Sequence, residues 1–158
     1  MDRRRIGPGL LLGTWRLVSF EVRSADGTVR FPYGRGARGY LIYNADGYMS
    51  VAFARADRPT FPSDDPASGS TDDWLASAKG YTSYCGRWEL RGDMVVHHVD
   101  VSLFPNWAGG TQERLMALEG NLLTLSTPPY PVRGEPRTGH LVWERVTDGS
   151  QVEDGSQA

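Results

Sequence analysis

YTSYCGRWELRGDMVVHHVDVSLFPNWAGGTQER, residues 81–114, carries two of the three histidines, the only cysteine and an arginine set among apolar residues. Its first half alternates Tyr84, Gly86, Trp88 and Leu90 with Cys85, Arg87, Glu89 and Arg91, the period-two pattern of a strand with one apolar and one charged face. The Gly92-Asp93 break then leads into the β-rich run at residues 94–102, so the segment reads as a β-hairpin. If Gly92 and Asp93 are the two turn residues, Trp88 faces His97, Tyr84 faces Val101 and Leu90 faces Val95, which places His97 inside. A three-residue turn would shift the register by one and send His98 inward instead, because side chains alternate with period two. Val95, His97, Val99 and Val101 form the more apolar face, so the two-residue turn is preferred.

Working outward, residues 13–24 (GTWRLVSFEVRS) form a long β-branched and aromatic run ended by Ala25-Asp26-Gly27, turn chemistry with Gly in the left-handed position. The same triplet recurs at residues 45–47, where it joins two strands and pairs Tyr43 with Met49, Leu41 with Val51 and Gly39 with Phe53. That face is apolar and points inward, leaving Tyr40 and Tyr48 outside. Residues 55–71 have loop composition, and Thr71-Asp72-Asp73-Trp74 reads as a helix start with a capping Thr or Asp, so residues 55–80 are expected to form a lid with one short helix. Residues 104–110 make a corner with an exposed Trp107. A hairpin about Gly120-Asn121 pairs Leu118 with Leu123, Met116 with Leu125 and Arg114 with Thr127. Residues 128–137 read as a Pro-rich connection and residues 138–146 as the last strand. The domain thus spans residues 11–146, between a flexible lead-in at 1–10 and a disordered tail at 147–158. About eight antiparallel strands at hairpin spacing predict an all-β, up-and-down barrel, whose closure removes exposed edges and whose size admits one small ligand.

Composition narrows the function classes. The 158 residues and 17.5 kDa suit one domain. A formal charge of -2, with no basic block beyond Arg3, Arg4 and Arg5, argues against nucleic acid as a partner. Leu10-Leu11-Leu12 is too short to span a bilayer or serve as a signal core, so neither a membrane nor export is expected and the chain reads as cytoplasmic. Cys85 alone allows no internal disulfide. Sixteen arginines against the single Lys79 suggest a bacterial source of high GC content.

The segments GTWRLVS, RGYLIYNADGYMSV, YCGRWEL, VVHHVDVSLFPNW, ERLMALEGNLLTLSTPP and LVWERV, in this order between residues 13 and 146, resemble the bacterial lipocalin-like domain family. Gly13-Thr14-Trp15 is similar to the lipocalin Gly-x-Trp signature. The resemblance implies a closed barrel with an internal pocket and an Arg, here Arg145, packed over Trp15. It implies little about a reaction, since such barrels serve as carriers or as enzymes that cyclise polyketide or terpenoid chains. It also needs Trp15 and Leu17 inward, whereas alternation alone would hide Val18, Phe20 and Val22, so a β-bulge is expected in the first strand.

His97 suits a general base or a hydrogen-bond partner of a ligand, although an ordinary satisfied core histidine has the same signature. His97 and His98 face opposite ways and His140 is distant, which makes a poor metal site. Arg114, on a face of Met and Leu, should contact a carboxylate, a carbonyl or a ligand anion, with Glu21 or Glu144 as internal candidates, or lie at the wet mouth; a buried ion pair or an Arg stacked on Trp has the same signature. Tyr43, Tyr84, Trp88, Trp107 and Trp143 suit the wall of a pocket for a flat or polyene molecule, and they equally suit an aromatic core. The expected lining adds Leu41, Met49, Val51, Phe53, Val99, Met116 and Leu125, with His97, Arg114 and Tyr84 as the candidate catalytic set. No phosphate loop, dinucleotide fingerprint or nucleophile elbow occurs, and no cofactor or metal is expected. The expected function is binding of a small, hydrophobic, polyketide- or terpenoid-like metabolite and its cofactor-free cyclisation or isomerisation. The alternative is a non-catalytic carrier.

Overall fold

The computed structural model describes residues 6–147; the expected disordered tail, save Thr147, and the first half of the lead-in lie outside that range. Ten strands, β1 (Gly13–Ser24), β2 (Val29–Arg30), β3 (Arg38–Tyr43), β4 (Tyr48–Ala54), β5 (Tyr81–Arg91), β6 (Met94–Ser102), β7 (Thr111–Glu119), β8 (Leu122–Ser126), β9 (Tyr130–Val132) and β10 (Glu135–Arg145), are joined by one helix, α1 (Thr71–Lys79). Eight of them close an antiparallel barrel in the order β1-β3-β4-β5-β6-β7-β8-β10, sealed by β1 against β10. β2 and β9 are short flaps on β1 and β10.

The hairpin registers follow the turn chemistry. Gly47, Gly92 and Gly120 all take positive φ, and the pairs Tyr43 with Met49, Trp88 with His97, and Leu118 with Leu123 are those read from the sequence. These three tight turns meet at one end of the barrel, together with the start of β1. That end is closed by packed side chains: Trp15 is 0% exposed, donates its indole N–H to the Leu11 carbonyl at 2.9 Å, and lies under the Arg145 guanidinium at 4.2 Å. Arg145 also donates to the carbonyls of Leu10 and Leu12. Pro8–Leu10 form a turn of 3-10 helix there, so this part of the lead-in is built into the closed end.

Two bulges set which residues point inward. In β1 the pairing with β10 slips between Leu17 and Ser19, turning Val18 out while Trp15, Leu17 and Val22 stay buried. Between β5 and β6 the slip lies between Cys85 and Gly86 on one side and Val101 and Val99 on the other, so the extra residue is Asp100 on β6, and a Cβ on Gly86 would sit 1.8 Å from the His98 carbonyl oxygen. Tyr84 therefore faces Ser102 and not Val101, and Val101 is 65% exposed instead of inward. Three further expectations are corrected. The helix cap is Ser70, in a capping box with Asp73, because a hydroxyl one residue earlier reaches the Asp73 N–H. Residues 128–137 are not merely a connection: β9 and β10 pair across an Arg133-Gly134 turn with both residues at positive φ. Trp107 is half-buried, edge-on to Tyr84 with ring centres 6.0 Å apart.

Candidate functional site

Longer connections lie at the other end of the barrel, and there the interior is hollow. The cavity measures about 1480 Å³. Its deep wall is apolar, formed by Leu41, Val51, Phe53, Leu125, Leu141 and Trp143 from alternating positions of four strands. Toward the mouth it becomes polar, with Tyr33, Thr82, Gln112, Arg114, Thr127 and Tyr130, and its rim includes residues 29–35 and 128–133. Residues 55–80, expected as a lid, contribute nothing to the lining; Arg55 instead donates to the Pro32 carbonyl in the rim loop at 3.3 Å.

The polar centre of the interior is His97. β6 alternation points it inward, and the side chain is 1% exposed, whereas His98 faces out within 3.7 Å of Glu89. Tyr43, the last residue of β3, places its hydroxyl 2.7 Å from His97 Nε2, and Tyr84, on the inward face of β5, places its own 2.7 Å from Nδ1. A neutral imidazole has one donor and one acceptor nitrogen, so one tyrosine donates to the ring and the other accepts from it. Burial, reinforced by the nearby Arg114 guanidinium and by His98, lowers the His97 pKa to about 3. Burial likewise raises the Tyr43 and Tyr84 pKa values, a rise opposed by Arg114. All three groups are neutral near pH 7, and they form a satisfied relay of polar hydrogens inside an apolar shell.

Arg114 lines the same cavity. Its Nη1 donates to the Glu113 carbonyl at 2.8 Å and its Nη2 to Gln112 Oε1 at 3.1 Å, both on its own strand. Neither Glu21 nor Glu144 pairs with it among the described residues, and Glu21 bonds Arg23.

The cavity thus brings together His97, Tyr84, Arg114, Leu41, Val51, Phe53, Trp107, Leu125 and Trp143 of the expected set. Tyr43, Met49, Trp88, Val99 and Met116 do not line it; they lie in or against the packed core, where Trp88 donates to the Asn44 carbonyl at 3.1 Å and its ring lies 4.8 Å from that of Tyr43. Period two assigns a face of a strand but not a depth along the barrel axis, so floor and wall looked alike. The rim residues Tyr33, Arg30 and Arg35 were missed because residues 28–37 were assigned no element, and Tyr130, Arg133 and Arg137 because residues 128–137 read as a connection. The one available signal was the aromatic content of Phe31-Pro32-Tyr33 and of Tyr130 in otherwise loop-like sequence. Among the described residues no group of three His, Cys, Asp or Glu side chains is placed to hold a metal ion, and no helix is long and apolar enough to cross a membrane.

A family model for a lipocalin-like domain matches residues 12–146. A protein of Aspergillus oryzae named as a 4'-hydroxy-3'-methoxypropiophenone carrier protein is 31% identical over 108 residues, an alignment covering 62% of this chain and 96% of that relative.

Proposed function

The chain belongs to the lipocalin-like domain family, and from that premise we propose that it is a carrier that encloses a small, largely apolar metabolite bearing a hydroxyl or carbonyl group. One observation carries this reading: a large apolar-walled cavity whose only deep imidazole, His97, already has both nitrogens bonded to tyrosines. A base with a pKa lowered to about 3 and no free lone pair is poorly suited to proton abstraction at neutral pH. The same arrangement suits binding, since Tyr84 offers a polar hydrogen-bonding point beside apolar wall. A small aryl ketone such as the one in the relative's name fits that pattern of one flat apolar body with a few polar atoms.

A second reading is favoured by Arg114 and Tyr84 opening onto the same space: the barrel would fold a polyketide- or terpenoid-like chain and promote its cyclisation or isomerisation without a cofactor. Positioning alone contributes up to roughly 7–11 kcal/mol in favourable intramolecular cases, with donors on a developing oxyanion adding to it.

Titration with 4'-hydroxy-3'-methoxypropiophenone, followed by tryptophan fluorescence and chromatographic recovery, separates the two. The carrier reading expects saturable one-to-one quenching and recovery of the compound unchanged. Absence of saturable binding would contradict it. Turnover of this compound, or of an unsaturated polyketide or terpenoid chain, with rates that fall in Arg114→Met, would favour the catalytic reading.

A further inference from the structure

The charges around the cavity differ in sign from the chain that makes it. Over the whole sequence 17 basic residues face 19 acidic ones, yet the cavity lining holds Arg30, Arg35, Arg114, Arg133 and Arg137 against the single acid Glu113. Arg137 is paired with Glu135 at 3.0 Å, so setting one arginine against Glu135 and one against Glu113 leaves three of the five uncompensated. The three arginines Arg30, Arg35 and Arg133 reach no carboxylate within ion-pair distance among the described residues, and Arg35 instead stacks on Phe31 at 4.2 Å. Arg114 stands among Leu125, Thr127 and Tyr130 in the lining, and only two of its five N–H donors are used, both on neutral oxygens.

A wall with an excess of cations and with unused N–H donors on Arg114 is complementary to acceptors and negative charge, and mismatched to an amine.

We infer that the cavity selects an amphipathic organic anion, its apolar body against Leu41, Val51, Phe53 and Trp143 and its oxyanion at Arg114, drawn in by the arginines of the rim. The oxyanion is a carboxylate or an acidified phenolate, as in a phenol carrying an electron-withdrawing acyl group. This rests on the carrier reading and narrows it, because a neutral ligand of the same shape would leave the guanidinium, bonded only to neutral oxygens, without a counter-charge. The rim arginines lie at the wet mouth, so their share is steering, screened by salt, whereas Arg114 lies inside and supplies the directional bonds.

The test uses 1-pyrenebutyrate and its methyl ester, which differ in the charge and a methyl group, with binding read by fluorescence for the full chain, Arg114→Met, and the outer-face variant Arg91→Met. The proposal expects the acid to bind at least about tenfold more tightly than the ester, the lower end of what a hydrogen bond to a charged group supplies. It also expects 0.5 M salt to weaken only the acid, and Arg114→Met to abolish the preference while ester binding stays and Arg91→Met changes neither. A parallel arm follows the absorbance of 4'-hydroxy-3'-methoxypropiophenone against its 4'-methyl ether. A red shift on binding the phenol identifies the phenolate as the bound form, and a carboxylate preference without a red shift identifies carboxylates. Equal binding of acid and ester without a red shift overturns the anion site and leaves the carrier reading standing. No binding of either probe or of the ketone overturns both.

Discussion

At the residue scale the interior turns on how an imidazole is kept inside an apolar barrel. Removing a polar ring from water costs several kcal/mol unless its hydrogen bonds are restored, and the hydroxyls of Tyr43 and Tyr84 restore both at 2.7 Å. The arrangement has a consequence for acid stability. His97 has a folded pKa lowered to about 3 from an ordinary value of 6.5, so between those limits the unfolded chain binds the extra proton. Stability contributed by the neutral ring is complete above about pH 6.5 and is lost as pH falls through the window, at up to about 1.4 kcal/mol per unit. His97→Gln keeps a donor and an acceptor near the tyrosines but does not titrate. Urea unfolding at pH 4.5 and 7 should therefore show a smaller acid loss in the variant than in the parent. Equal losses would mean that the ring is charged in the folded protein or reached by water.

The element scale is governed by the β5–β6 hairpin. The extra residue Asp100 on β6 turns Val101 outward and sets Tyr84 opposite Ser102, while Tyr84, Gly86 and Trp88 keep one inward face of β5. Gly86 is required by contact and not by a special φ: a methyl there would overlap the His98 carbonyl oxygen, which is backbone and does not move aside. Gly86→Ala should therefore cost about 2–4 kcal/mol, whereas Gly120→Ala, in open space at φ +58, should cost about 1 kcal/mol from the turn alone. Denaturant midpoints of the two variants check the ranking; a Gly86→Ala loss no larger than that of Gly120→Ala would show that the bulge is dispensable. The same strand marks what sequence reading delivers. Turns announced by Gly92-Asp93, Ala45-Asp46-Gly47 and Gly120-Asn121 set registers correctly, because local dihedral needs are written in local residue types. The β1 bulge was legible through the tension between Trp15 and Val18. The β6 bulge was not, since Asp100 and Val101 fit an ordinary alternating strand as well as a slip. The β9 flap was hidden for a related reason: Arg133 at φ 51 is an uncommon left-handed residue, and Pro129 and Pro131 masked the strand.

For the whole molecule, three tight turns draw one end shut over Trp15, and the longer connections leave the other end wide enough to admit a ligand. The cavity, the Tyr43–His97–Tyr84 relay and the arginine-rich mouth then fall along one axis, from packed floor through apolar wall to cationic rim. Much of this gradient follows from antiparallel alternation combined with which end each turn occupies. Its charge does not, because the rim arginines come from short segments distant in sequence. The five tryptophans are spread along the chain as built-in reporters: Trp143 and Trp107 line the cavity, Trp15 is sealed in the floor, Trp88 packs against Tyr43 beside the core, and Trp74 lies on the outer helix. The most direct measurement is a nitrogen–proton correlation spectrum of the indole N–H signals during titration with 4'-hydroxy-3'-methoxypropiophenone and, separately, 1-pyrenebutyrate. Binding inside the barrel predicts large, saturable shifts at Trp143, whose Nε1 is buried without a partner, and at Trp107, with Trp15 and Trp74 unmoved. Saturable shifts confined to Trp74, or an unchanged Trp143 signal at ligand saturation, would contradict it.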